Sequence, residues 1–359
     1  MSSSTAPKGV LLKSDSIASK FSEEVKSTLA SRSRAPKLVG ILSTGSVPSR
    51  SYAEFTRKQC EALGVDFQLK ETGAALQEGA PDGEGVEDAI IQANGDSSVD
   101  GIMVYYPIFG AQQDHYLQQV VSPYKDVEGL NFKFHYNLYH NIRYLDPKSL
   151  ISSAPLVNPP APTTSDVPPA GTVKCILPCT PLGIVKALEG VGVYNTILPY
   201  GDRAYGKTVT VINRSEVVGR PLAALLANDG ARVYSVDIDS IQVYTKRPPA
   251  PDGTDAGRYH PSHVVRPTKL SLEECLAQSD VVVSAVPSDK YKVKTAALKE
   301  GCVCINVAAD KNFEANVREK ASLYLPTVGK LTILMLLRNL LRLQEYQSLL
   351  ESSKEHTTQ

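Results

Sequence analysis

The feature that most constrains this chain is an alternation, run through twice, of short apolar stretches with helical patterns. From Lys37 the segments "KLVGIL", "DFQLK" and "GIMVYY" read as buried strands, separated by helical periodicity at "SRSYAEFTRKQCEALG" and "GVEDAIIQANGD". A second series follows at "KTVTVIN", "ARVYSVD", "DVVVSAV" and "CVCINVA", with "GRPLAALLANDG" the clearest helix among them. Strands joined by helical crossovers pair in parallel, so the expected fold class is α/β, in two domains with a cleft between them. A chain of 359 residues is also longer than one core usually accommodates.

Two stretches break the alternation. "PKSLISSAPLVNPPAPTTSDVPPAGT", residues 147–172, is too rich in proline, serine and threonine to support a packed element and reads as a loop or insertion. A shorter one, "KRPPAPDGTDAGRYHPSHVVRP", residues 246–267, reads the same way. The formal net charge of +0 gives no clustered basic face for nucleic acid or an anionic membrane, which favours small-molecule chemistry. The N-terminus carries neither a secretory apolar core nor an arginine-rich presequence, so the expectation is a cytoplasmic protein. Six scattered cysteines fit free thiols, with Cys302 and Cys304 sharing one sheet face, and the spacing "CILPC" matches no redox or zinc pair. No metal site is expected. The last apolar run, "KLTILMLLRNLLRLQEYQSLLESS", is interrupted by Arg338 and Arg342 well short of a membrane span and reads as an amphipathic helix on a core or at a subunit contact.

The most informative stretch is "VINRSEVVGRP", Val211 to Pro221, a strand running into a helix through a tight turn. The backbone N–H groups and positive end of that helix would face whatever sits above the turn, which suits a pyrophosphate. Arg214 adds charge there and Ser215 a hydroxyl, while Gly219 lets the helix pack close to the sheet, as the third glycine of a dinucleotide fingerprint does. The next strand ends at Asp237, followed by Ile238, about where an acidic residue takes the adenosine ribose hydroxyls and repels a 2′-phosphate. The expected cofactor is therefore NAD rather than NADP, with Asp237 or nearby Asp239 making the contact. The strand ends Ala285–Pro287, with Val286 between, and Asn306–Ala308, with Val307 between, are further candidate cofactor contacts, because ligands in open α/β sheets lie at strand carboxyl ends.

With "SYAEFT", "DGIMVYYP", "KDVEGLN", "ILPCTPLGIV", "VCINVA" and "VGKLT" in the same order, the chain resembles the methylenetetrahydrofolate dehydrogenase/cyclohydrolase family, in particular its monofunctional NAD-dependent fungal branch. The likeness covers nearly everything outside the two proline-rich stretches. It implies a folate-binding catalytic domain over 1–172, a Rossmann NAD-binding domain over 173–328, and a final helix, 329–359, returning to the first domain. Homodimers are implied as well, and in the family this turn resembles, Asn213 occupies the place of the first glycine.

By the same resemblance Tyr52 stacks on the pterin, but Thr56 stands where bifunctional members carry the lysine that assists water attack. Lys58, six residues from Tyr52, lies about 240° round a helix from it and is a poor substitute. The family's VQLP segment reads "VYYP", so beside Val104 the tyrosine Tyr105 replaces the glutamine that positions that lysine. Glu128 matches the pterin-binding aspartate, and Asp126 serves the local turn. Cys179 falls beside the nicotinamide end, as a nucleophile or as a lining and positioning residue. Gly329 aligns near the folate, as does Thr332. Lys330 replaces a proline there and could meet the glutamate tail, replace the missing lysine, or lie in solvent. The expected activity is NAD-dependent oxidation of 5,10-methylenetetrahydrofolate without cyclohydrolase activity, in one-carbon metabolism and purine synthesis. The rivals are a bifunctional enzyme and a non-catalytic NAD- or folate-binding regulator.

Overall fold

The structure, a computed structural model, describes residues 8–150, 165–248 and 260–355. The elements of the first series are β1 (Val10–Leu11), α1 (Asp15–Ala30), β2 (Lys37–Leu42), α2 (Val47–Leu63), β3 (Asp66–Glu71), a single turn α3 (Gly73–Leu76), α4 (Val86–Gly95), β4 (Gly101–Val104), α5 (Ala111–Val120), α6 (Phe132–Tyr139) and β5 (Tyr144–Leu145). The chain continues through β6 (Val173–Lys174), α7 (Cys179–Gly190), β7 (Thr208–Ile212), α8 (Gly219–Asn228), β8 (Arg232–Val236), β9 (Ile241–Lys246) and β10 (His263–Pro267). It closes with α9 (Leu272–Gln278), β11 (Val281–Ser284), β12 (Val303–Asn306), β13 (Leu323–Leu325) and α10 (Gly329–Glu355).

Both alternating series form parallel sheets. The first is three-stranded in the order β3-β2-β4. The second has eight strands in the order β1-β13-β12-β11-β7-β8-β9-β10, parallel from β1 to β8. The outermost pairings, β8 with β9 and β9 with β10, are antiparallel. The first strand of the chain, β1, thus belongs to the second sheet, pairing with β13, which its two exposed residues gave no sequence pattern to reveal.

Two readings need correction. The stretch 246–267 is not loop throughout: Lys246 pairs with His263 and Gln242 with Pro267, so β9 and β10 make a ribbon that closes the sheet edge. The β-branched and aromatic residues of "IQVYTK" and "HVV" suit an edge ribbon, and its proline sits at the terminus of the outermost strand, where a missing N–H costs nothing. Residues 249–259, and 151–164 of the longer proline-rich stretch, lie outside the described residues. The second correction concerns α10. Leu331, Ile333, Leu334, Leu336, Leu337, Leu340 and Leu343 are all buried, so apolar contact surrounds its first turns instead of forming one stripe. It lies between α1 and α7. Gly183 lets α7 approach it, since a Cβ there would stand 3.3 Å from the Leu331 carbonyl carbon. Each fully buried leucine contributes about 1.5–3 kcal/mol, which makes α10 the pin between the two sheets. Asn339 fastens it by donating to the carbonyls of Val127 and Leu177, both 2.9 Å away. Among the described residues no helix is long and apolar enough to cross a membrane.

All six cysteines are free and buried, and the Cys302 and Cys304 sulfurs lie 3.7 Å apart on one face.

Candidate active site

One cluster gathers where α2, the end of β4 and the start of α7 meet. Helix α2 forms because the Ser46 hydroxyl accepts from the Ser49 N–H (3.4 Å), Pro48 preorganises the first turn, and Gly64 closes it at φ 84°. Its buried face, Ala53, Thr56 and Cys60, packs inward and sets Tyr52 edge-on to Tyr105, with ring centroids 6.1 Å apart. Gly40 on β2 makes room beneath, because a Cβ there would come within 3.2 Å of the Tyr105 ring. Glu128 hangs from the next segment, where its carboxylate accepts the Val104 N–H at 2.9 Å and its carbonyl accepts the Cys179 N–H at 3.0 Å. Asp126 builds the turn that carries it, accepting from the backbone of Glu128, Gly129 and Asn131.

The cluster is buried and poor in charge. Burial raises the Glu128 carboxyl to about 8; the Val104 N–H opposes the shift and Asp126 adds to it. Burial likewise lifts Asp126 to about 6 against its own backbone N–H donors. The Cys179 thiol is pushed well up by burial and then by the nearby Glu128 charge, which makes it a neutral thiol and a poor nucleophile. Tyr52 is raised by burial and by Cys179 and Glu128. Burial also raises the Tyr105 hydroxyl, which the neighbouring Thr56 hydroxyl partly offsets. Thr56 is fully buried and spends its hydroxyl on the Tyr52 carbonyl at 2.9 Å. Lys58 is exposed on the outer face of α2. Lys330, at the start of α10, takes no part in this cluster's hydrogen bonding: it lies at the solvent-exposed surface, where its ammonium pairs with Asp15 of α1 at 2.6 Å.

The second region is the turn from β7 to α8, and it is built from backbone. Asn213 has φ +83°, the left-handed conformation expected of a residue in the first glycine's place. Its side chain locks the turn, accepting from the Ser215 N–H (3.1 Å) and donating to the Ala285 carbonyl (2.7 Å). A Cβ on Gly219 would lie 1.7 Å from the Asn213 carbonyl oxygen, so glycine alone fits. The Ser215 hydroxyl accepts from the Val218 N–H at 3.3 Å, tying the turn together just ahead of α8. A turn this tight, with a glycine cradle and an exposed helix N-terminus, fits a dinucleotide.

Arg214 reaches from the turn to the neighbouring strand end. Its guanidinium runs sideways, donating to the Ser235 hydroxyl (3.0 Å), the Ser235 carbonyl (2.6 Å) and the Ser240 carbonyl (2.9 Å), and so braces the β8–β9 corner instead of lying over the turn. That corner holds Asp237 at the exposed end of β8, with Ile238 95% exposed beside it. Asp239 is exposed there too. Among the described residues the Asp237 carboxylate accepts only its neighbour's N–H, from Ile238 at 2.9 Å.

The chain matches the family model described as the tetrahydrofolate dehydrogenase/cyclohydrolase catalytic domain over residues 12–128, and that of the same family's NAD(P)-binding domain over residues 178–248. A curated methylenetetrahydrofolate dehydrogenase [NAD(+)] from Schizosaccharomyces pombe is 47% identical, with 92% of each chain covered. This chain belongs to the tetrahydrofolate dehydrogenase/cyclohydrolase family. Another relative so named, from Saccharomyces cerevisiae, is 48% identical over 89% of each chain. The solved structure of the NAD-dependent 5,10-methylenetetrahydrofolate dehydrogenase from Saccharomyces cerevisiae superposes with a TM-score of 0.82 at 44% identity, covering 96% of this chain and 99% of that one. Bifunctional FolD proteins are similar at much lower identity, 27% for that of Halalkalibacterium halodurans over 92% of this chain.

Within this family frame, Tyr52, Thr56, Val104, Tyr105, Glu128 and Cys179 come together as one cluster, and Ser215, Gly219 and Ala285 as another. Gly329 starts α10 near neither cluster's hydrogen bonds, its N–H meeting the Thr327 hydroxyl. At the β11 and β12 ends the Asn306 side chain is turned into the protein, donating to the Ala308 carbonyl (2.8 Å) and accepting from the Asn312 N–H (2.8 Å), while Val307 and Ala308 remain half-buried. Val286 and Pro287 flank Asn312, which sequence reading missed. Its carboxamide accepts from the Ser284 hydroxyl (2.9 Å) and the Val286 N–H (3.0 Å), and donates to the Val286 carbonyl (2.9 Å). Ser284, Asn306 and Asn312 are buried polar residues holding both strand-end loops in place. The signal available was a serine and an asparagine closing two otherwise apolar strands.

Proposed function

We propose that this protein oxidises 5,10-methylenetetrahydrofolate to 5,10-methenyltetrahydrofolate with NAD and leaves the product unhydrolysed. The observation that carries the reading is the missing amine: buried Thr56 and Tyr105 fill the ground that water activation would need, Lys58 faces out, and Lys330 is held by Asp15. Loss of hydride from the methylene carbon leaves a cation shared by the two folate nitrogens, so the step needs no proton acceptor. Bound NAD would supply the hydride acceptor above the β7–α8 turn. Glu128 holds the aminopyrimidinone by accepting two N–H bonds, Tyr52 stacks on the ring, and the neutral Cys179 thiol lines the site; positioning does most of the work. Glu128 binds these donors best when ionised, so substrate capture below about pH 8 releases a proton.

The two fungal relatives named for NAD support the cofactor choice, and exposed Asp237 is the residue that would repel a 2′-phosphate. The same reading makes the protein a cytoplasmic homodimer without nucleic-acid or membrane partners, serving one-carbon metabolism and purine synthesis; sedimentation tests the dimer. Mixing the protein with methylenetetrahydrofolate and either dinucleotide tests the activity. NADH should form much faster than NADPH, whereas dinucleotide binding with no reduction would make the protein a regulator instead.

A further inference from the structure

Away from Tyr52, Glu128 and Cys179, a cavity of about 160 Å³ opens where α6, α7, α8 and α10 converge, far above the ~10–15 Å³ that one water needs. Its lining holds six cations, Arg143, Lys174, Lys186, Arg203, Arg338 and Arg342, against three acids, Asp166, Glu189 and Asp229. The acids are spoken for: Asp229 by Arg143 (2.5 Å), Asp166 by Lys174 (2.8 Å) and Glu189 by Lys186 (2.8 Å). Arg338 turns out of the cavity to Glu24 (2.9 Å). Two guanidiniums are left without a carboxylate at ion-pair distance among the described residues. Arg342 donates to the Cys175 carbonyl alone (2.9 Å), and burial with the like charge of Arg338 holds its pKa down. Arg203 has its Nε buried with no hydrogen-bond partner. Tyr200, also in the lining, offers an aromatic face, with the Arg143 guanidinium carbon 4.5 Å and that of Arg203 5.6 Å from the ring centroid.

Buried charge without a counter-charge is costly, and a planar guanidinium fork matches an oxyanion with two parallel bonds. We propose that this cavity is a second binding site, for the phosphate or carboxylate group of a small metabolite, gripped by Arg203 and Arg342 beside Tyr200. The occupant supplies the anion that those two side chains lack. Because the cavity joins the first unit, the second and the last helix, an occupant also stabilises their packing, by an amount set by its concentration over its Kd.

The test is calorimetric titration of the full chain with pyrophosphate and with citrate, at ionic strength matched by sodium chloride and with NAD present in excess to fill the dinucleotide turn. At least one anion should bind saturably and raise the Tm, and Arg203→Gln and Arg342→Gln should each weaken that binding at least tenfold, with the KM values for NAD and folate unchanged. Loss of binding in Arg203→Gln separates this cavity from the turn whether or not NAD binds. Should Arg342→Gln fail to fold, the rim variant Arg203→Gln decides alone. Binding of neither anion, a Tm that follows ionic strength only, or undiminished binding in Arg203→Gln would each overturn the proposal.

Discussion

The folate-side cluster and the dinucleotide turn sit on two different sheets and are made in opposite ways. The turn is backbone: Asn213 in a left-handed conformation, Gly219 forced by a 1.7 Å approach, and side chains used as struts. The folate-side cluster is side chain: buried tyrosines, a thiol and a carboxyl whose protonation the interior has shifted to about 8. A backbone site fails all at once when its one steric condition is broken. A side-chain site changes by degrees, through charge and pH, and can lose one activity while keeping another.

Gly219→Ala should therefore have the largest effect. No side chain can yield to a Cβ placed against the Asn213 carbonyl, so the turn must open. Overpacking of this kind costs about 3 kcal/mol, and a similar loss at the transition state is roughly 100-fold in kcat/KM for NAD. An alanine enzyme with wild-type KM for NAD would show that the cofactor lies elsewhere.

Next comes Glu128→Gln, which should lower kcat/KM for the folate by about 10- to 100-fold by removing charge-assisted bonds. It also carries a pH signature. Burial raises Glu128 from an ordinary 4.5 to about 8, so between those values the folded chain keeps a proton that the unfolded chain has released. The stability gained by holding Glu128 neutral is full below about pH 4.5 and is lost as pH rises through 8. Denaturation across that window should show the wild type weakening towards the variant by about 4 kcal/mol relative to their difference at pH 4.5. In the free enzyme, kcat/KM for the folate should rise with a midpoint near pH 8 and level off above it, and the glutamine enzyme should lose that rise.

How far each region could be read from sequence follows from the same contrast. The turn was legible because its parts are neighbours: Asn213, Ser215 and Gly219 lie within seven residues, and Asp237 ends the next strand. The partners of Arg214, Ser235 and Ser240, were not legible, because they are set by the β8–β9 corner and the antiparallel ribbon that makes this corner was hidden next to a proline-rich stretch. The folate-side cluster draws on α2, β4, the Asp126 turn and α7, segments up to 127 positions apart, so no local spacing encodes it and only family resemblance assembled it. Asn312 escaped for the same reason, since the partners of its carboxamide lie 24 to 28 positions away in sequence. The apolar run of α10 gave its helix but not its double-sided burial, which depends on α1 and α7 meeting it from both sides.

Smaller effects sharpen the contrast further. Asp237→Ser should lower the preference for NAD over NADP by about tenfold, the worth of roughly 1.4 kcal/mol of repulsion at an exposed strand end, measured as the ratio of the two kcat/KM values. Unchanged preference would move the discrimination to Asp239 or to the Arg214 brace. Cys179→Ser should leave kcat within about threefold, since a neutral lining thiol contributes no covalent step. A collapse of turnover in that variant would restore the nucleophile.

The decisive measurement is the fate of methenyltetrahydrofolate in the presence of the wild-type protein, followed by its absorbance against a buffer control while a parallel sample confirms NADH production. With Thr56 where the amine would stand, the methenyl compound should disappear no faster than in buffer, although the same preparation forms it readily. Hydrolysis clearly above the buffer rate would contradict the account and mean that some other group on this chain activates water.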